Sequence, residues 1–204
     1  MRVNTGDLTP ENMNTDVQIQ EAIAVLKRGG VVVFPTETAY GLAADATNPS
    51  AVEKIFKIKG REAEKSLPLI AASRQMVERY AGIPRGLAKL AVCHWPGALT
   101  LVLPAMGGLA PGVVRDGTVA MRVSSHPTAQ ALSQGLDAPI VSTSANLSGQ
   151  PTCYCVTDVR AQLGNAPDLY LDAGVLHPEP PSTIVAVDDY GYPDVIRQGT
   201  IHIQ

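Results

Sequence analysis

Lys54, Lys57, Lys59, Arg61 and Lys65 bring five cations into twelve consecutive positions of a chain whose formal net charge is −3. Only Glu62 and Glu64 oppose them in that stretch. Val52, Ile55 and Phe56 give an apolar stripe that marks a helix, and Gly60 is placed to end it. Lys59 and Arg61 then enter an extended or irregular stretch, where residues i and i+2 point the same way. A Lys point charge beside the planar fork of an Arg suits the clamping of a triphosphate. The same cations also suit a solvated helix end, whose dipole they complement. Spacing alone leaves both readings open.

Three further segments carry polar chemistry. Ser142-Thr143-Ser144-Ala145-Asn146-Leu147-Ser148-Gly149 follows an apolar strand directly. Small hydroxyl residues there can line a ligand site without filling it, and the same residue types also make turns. Pro35-Thr36-Glu37-Thr38-Ala39-Tyr40-Gly41 also follows an apolar strand, and offers two hydroxyls and a carboxylate to a polar substrate or simply forms a loop. Met121-Arg122-Val123 sets an Arg in an apolar strand, where burial is costly unless an anion meets it. That anion is either a ligand or an internal Glu or Asp.

Several common chemistries are missing. The chain has no GxxxxGK[ST] loop, no GxGxxG after a strand, no HExxH and no GxSxG. Cys153 and Cys155 flank Tyr154, and Cys93 adjoins His94; that falls short of the four ligands of a zinc site, so the cysteines are expected to pack. His126, His177 and His202 stand apart, without the company of a catalytic triad.

These segments need a scaffold, and 204 residues with 45% hydrophobic content supply one. That length suggests one domain over residues 1–204, with its core from about 15 to 200. Aromatics are only 4%, so the core must be mostly aliphatic. A net acidic charge argues against a protein that coats nucleic acid by bulk positive charge, though not against a local basic cleft. No run of about 18 apolar residues occurs, so no membrane-spanning helix is expected. Met1 to Asn14 lacks the layout of a signal peptide, and three cysteines make no disulfide framework; a cytoplasmic setting is the expectation.

The pattern of elements is mixed. Ile19, Ala22, Ile23 and Leu26 form one helical face, capped by Thr15 or Asp16 and ended by Gly29-Gly30. Val31 to Phe34 reads as a strand stopped by Pro35. A second helix begins at Ser50, with Ser50 and Glu53 as a capping box. Strands are expected at Leu67 to Ala72, Leu99 to Leu103, Val119 to Val123, Pro139 to Ser142, Ile184 to Val187 and Val195 to Arg197. Helices are expected at Arg74 to Tyr80, at Arg85 to Val92, from Pro127 to Gly135, and around Val159 and Leu163. This is an α/β or α+β domain built on a twisted mixed sheet flanked by helices.

Phe34 to Gly41, Lys59-Gly60-Arg61, Lys65 to Ile70, Trp95-Pro96-Gly97 with Leu99-Thr100, Thr118 to Arg122, His126-Pro127 and Ser144-Ala145-Asn146 follow one another in that order. Together they resemble the YrdC/TsaC family, the L-threonylcarbamoyladenylate synthases, from about Thr15 to Arg197. The resemblance implies a YrdC-like mixed sheet with a large, positively lined concave cleft. It implies formation of threonylcarbamoyl-AMP and pyrophosphate from L-threonine, bicarbonate and ATP, with magnesium accompanying ATP and no protein metal ligand assigned. The product then passes to tRNA threonylcarbamoyl-transfer proteins of TsaD/TsaB/TsaE type, for modification beside the anticodon, with tRNA itself a further candidate partner. By the same resemblance Lys59 and Arg61 are the catalytic phosphate clamp. Thr118, Ser144, Asn146, Thr152 and Arg197 join them in binding ATP, while Thr36, Arg122 and Ser142 hold threonine, Arg122 pairing its carboxylate. The reaction needs no protein nucleophile, which agrees with the missing triad.

The chain departs from the family pattern in places. Glu62 and Ser66 stand where proline is frequent, and Ala71-Ala72 where some members present a His. No room follows Arg197 for the extra domain of the longer synthases, so the short form is expected. The rivals are a carbamoyl-transferring module of hydrogenase maturation, an inactive paralogue of the same fold, and a non-catalytic double-stranded RNA or tRNA binder. Steep salt dependence marks the last of these, because several phosphate contacts release counterions.

Overall fold

The structure is a computed structural model that describes residues 10–60 and 67–203, with side chains in the first helix from Asp16 onward. Helix α1 (Pro10–Lys27) buries the expected face, with Ala22 and Leu26 fully inaccessible. It starts upstream of the expected cap, so Thr15 and Asp16 lie inside it. Pro10, whose fixed φ suits a first helical position, takes the start instead. Gly29, at φ +75°, turns the chain into β1 (Val32–Pro35), which is buried throughout.

Two mixed sheets form the body. In the first, β1 pairs antiparallel with β2 (Tyr40–Ala43) and parallel with β8 (Leu169–Tyr170), and β2 pairs with β7 (Thr143–Ser144). The second contains β3 (Leu69–Ala71), β4 (Leu99–Pro104), β5 (Thr118–Val123), β6 (Ile140–Val141), β9 (Thr183–Val187) and β10 (Pro193–Arg197). Its order is β10-β9-β4-β5-β3-β6, with β3–β5 and β4–β9 parallel. The expected mixed α/β architecture therefore holds, divided between two sheets. Strands β2, β7 and β8 were not expected, because they are short and two of them sit in Gly- or Ser-rich stretches. Gly41 suits β2 for a steric reason: a Cβ there would lie 3.0 Å from Phe34 Cε1 and 3.3 Å from the Thr143 carbonyl.

Helix α2 (Pro49–Lys59) is not capped by Ser50. Asn48 accepts from the Ser50 and Ala51 N–H groups, with Pro49 at the first turn, so no Ser50–Glu53 capping box forms. Gly60 ends the helix in the left-handed region at φ +58°, as expected. Helices α3 (Arg74–Tyr80), α4 (Arg85–His94), α5 (Pro127–Leu136) and α6 (Val156–Leu163) complete the described elements. One large aliphatic cluster spans both sheets, while a second gathers α1, α5 and the Val32 and Phe34 side of β1.

Candidate active site

Both sheets contribute to a cavity of about 620 Å³. Thr36, Thr38 and Ala39 from the β1–β2 connection, with Tyr40, Gly41, Thr143 and Ser144, line it from the four-stranded sheet. Thr100, Ala120, Arg122, Ile184, Ile196 and Arg197 line it from the six-stranded one. Pro68, Val102, Ser142, Thr152, Tyr154, Glu179, Pro181 and Ser182 complete the wall. The size suits a small ligand, and the hydroxyls offer hydrogen bonds without filling the space.

Two guanidinium groups face this space. Arg122 is 7% exposed; its Nη1 lies 3.3 Å from Glu37 Oε1 and its Nη2 lies 3.5 Å from Ser142 Oγ. Burial pushes its pKa down, and the Glu37 carboxylate opposes that. The anion demanded by an Arg in an apolar strand is therefore present internally, as Glu37. Both contacts are longer than the roughly 2.7–2.9 Å of a well-made charge-assisted bond, so the guanidinium keeps capacity for another acceptor. Arg197 donates from Nε and Nη2 to the Ser182 carbonyl, at 3.2 and 2.7 Å. Its pKa is also pushed down, first by burial and then by Arg122. That repulsion between two like charges is what a bound anion relieves.

Thr36 is buried, donates from Oγ1 to the Ala39 carbonyl at 2.7 Å, and so shapes the β1–β2 connection while facing the cavity. Lys59 differs from expectation. It is the last residue of α2 rather than part of an extended stretch, with Gly60 as the left-handed cap that follows it. At 4% exposure its Nζ donates to the Ser144 and Asn146 carbonyls, at 2.6 and 2.9 Å. Ser148 N–H in turn donates to the Lys59 carbonyl. Lys59 thus fastens the end of α2 to the 142–149 segment and places a positive charge beside the cavity wall. Asn146 donates to the Leu147 and Gln150 carbonyls, and its buried Oδ1 has no hydrogen bond among the described residues. Thr118 begins β5, donates to the Arg115 carbonyl and does not line the cavity. Arg61, Glu62, Lys65 and Ser66 lie outside the described residues.

Among the described residues, the three lysines of the basic cluster take separate partners. Lys54 donates to the Gly29 carbonyl and Lys57 pairs with Glu53 on the helix surface. The cysteines also divide. Cys153 packs in the core as expected, but Cys93 is exposed, two residues past Ala91 and so off the buried stripe of α4. Sequence reasoning missed Ser182 and Tyr154, and offered the Glu37 carboxylate to a polar substrate or a loop without pairing it with Arg122. Ser182, hydrogen-bonded to Thr100 at 2.9 Å, precedes a strand with no motif around it. Glu37 carried only a partial signal, a lone carboxylate between two threonines, and nothing local joined it to Arg122.

The Sua5/YciO/YrdC family model, described as telomere recombination, matches residues 24–199. The threonylcarbamoyl-AMP synthase of Photobacterium profundum is 38% identical over 185 residues, 89% of this chain and 98% of that protein. The threonylcarbamoyl-AMP synthase of Vibrio cholerae is 41% identical over 152 residues, 72% of this chain and 80% of its own length. Among solved structures, P. abyssi Sua5 complexed with L-threonine superposes with a TM-score of 0.82 at 34% identity. The match covers 89% of this chain but 54% of the Sua5 chain, so this protein spans about half of that longer molecule.

Proposed function

The chain belongs to the Sua5/YciO/YrdC family, and we propose that it is a threonylcarbamoyl-AMP synthase, acting on L-threonine, bicarbonate and ATP. The observation that carries the reading is the pair Arg122 and Arg197 in one hydroxyl-lined cavity, Arg122 meeting Glu37 by a long contact and Arg197 held by a neutral carbonyl, so that both cations can take anionic ligands. The names of the two bacterial relatives support the reaction, and the threonine-bound Sua5 supports its amino-acid half.

In this reading bicarbonate takes up a proton and loses water to give carbon dioxide, which the threonine amine captures with loss of a proton, giving a carbamate. A carbamate oxygen bonds to the α-phosphorus of ATP, the bond to the β-bridging oxygen breaks, and pyrophosphate departs with that electron pair. Arg122, Thr36 and Ser142 hold the threonine end. Arg197, Ser144 and Thr152 hold ATP from the cavity wall, and Thr118 and Asn146, which do not line that cavity, would meet parts of ATP that extend beyond it. Lys59 and Arg61 supply positive charge for the phosphates, preorganised where negative charge builds. Magnesium enters with ATP, as part of the substrate. The residues act as one domain with its core near 15–200, in the cytoplasm. The labile adenylate is handed to tRNA threonylcarbamoyl-transfer proteins of TsaD/TsaB/TsaE type, with tRNA a further partner.

The test is pyrophosphate release from magnesium-ATP with threonine and bicarbonate each present or omitted. Release that requires both, and that collapses in folded Lys59→Ala and Arg61→Ala proteins, is the expected result. Equal release without threonine, or none from folded protein, overturns the reading.

A further inference from the structure

Glu37 does not line the cavity, yet it touches Arg122, which does. The carboxylate is held from the other side. Ser124, fully buried at the end of β5, donates from Oγ to Glu37 Oε2 at 2.5 Å and accepts the His126 N–H at 3.1 Å. Oε1 is buried, 3.3 Å from Arg122 Nη1, and accepts no aligned hydrogen bond among the described residues. The two ends of the carboxylate are thus unequal: one is pinned by a short bond to a fixed hydroxyl, the other makes a loose ionic contact. Arg122 is looser still, with its second contact, to Ser142, at 3.5 Å.

We propose that Glu37 is a positioning residue. Its carboxylate, anchored by Ser124, is a fixed counter-charge outside the cavity lining that sets where the Arg122 guanidinium sits, and through it how tightly the cavity holds the carboxylate of the amino-acid substrate. A guanidinium paired with both oxygens of Glu37 has its charge compensated and two of its five N–H donors taken, and one without a counter-charge is costly to bury. The long contact satisfies both requirements. This inference rests on the synthase reading.

The experiment compares wild type, Glu37→Gln, Glu37→Asp and Ser124→Ala for threonine binding by calorimetry, for KM of threonine and of ATP, and for kcat, with thermal melts to establish folding. Glu37→Gln keeps the shape and loses the charge; it is expected to raise the Kd and KM of threonine about 10–100-fold, the fold-change that corresponds to loss of a hydrogen bond to a charged group. The KM of ATP and kcat at saturating threonine stay close to wild type. Glu37→Asp keeps the charge with shorter reach and falls between. Ser124→Ala leaves the charge but frees it, and raises the KM of threonine alone, which keeps the idea testable should Glu37→Gln not fold. Wild-type threonine affinity in folded Glu37→Gln, or in Ser124→Ala, overturns the proposal. So does an equal loss for threonine and ATP, the mark of a merely structural role. A wild-type protein that binds no threonine removes the synthase reading itself.

Discussion

Arg197 and Arg122 sit in one cavity with different anchors, and that difference separates their roles. Arg197 is held by the Ser182 carbonyl, a neutral partner that does not compensate its charge. In the proposed reading its guanidinium faces ATP, so Arg197→Gln is expected to raise the KM of ATP about 10–100-fold, the equivalent of the roughly 1.5–3 kcal/mol of a hydrogen bond to a charged group. Threonine binding in the same variant stays close to wild type, and steady-state kinetics with each substrate varied in turn checks this. An Arg in an apolar strand could be picked out as costly from sequence. Whether its anion was internal or a ligand could not, because Glu37 is 85 residues away and meets it only through the fold.

At the scale of single elements, α5 carries two consequences of its packing. His126 caps it, with Nδ1 accepting the Thr128 N–H at 3.3 Å, a role that needs an unprotonated nitrogen. Burial lowers the His126 pKa from its ordinary 6.5, against the smaller pull of Glu37 in the other direction. Because the folded value is the lower one, the unfolded chain takes up the proton first as the pH falls. The contribution is complete above about pH 6.5 and is lost as the pH drops through that value towards the folded pKa. Thermal midpoints should therefore fall as the pH drops below about 6.5, and His126→Asn, which keeps a capping acceptor, should flatten that limb. The second consequence is the close approach of α5 to α1. A Cβ at Gly135 would lie 2.2 Å from Ile23 Cδ1, so Gly135→Ala is expected to cost about 1–3 kcal/mol in urea unfolding despite the better helix propensity of Ala.

For the whole molecule, the joint between α2 and the 142–149 segment matters most, because it links the end of a helix to the wall of the cavity. Lys59→Met preserves length and apolar stem but leaves the Ser144 and Asn146 carbonyls without this donor. The expected cost is about 1–3 kcal/mol of stability, together with a raised KM of ATP, and denaturant unfolding read beside the kinetics tests both. Unchanged stability would remove Lys59 as the fastening of this joint. Much of the molecule was already legible in its residues. The existence of helices α1 to α6, the buried faces of α1, α2 and α6, the apolar runs of β1, β4, β5 and β9, and the ends at Gly60 and Gly164 follow from local periodicity and backbone preference, which act within a few residues. The ordered motifs likewise identified the family. What only the tertiary structure decided depends on contacts between distant segments: the division into two sheets, the short strands β2, β7 and β8, Asn48 rather than Ser50 as a cap, the burial of Lys59 against carbonyls, and the Glu37–Arg122 pair. Short strands exist because a neighbour supplies their hydrogen bonds, and a buried charge is placed by whichever partner the fold brings to it; neither partner is marked in the local sequence.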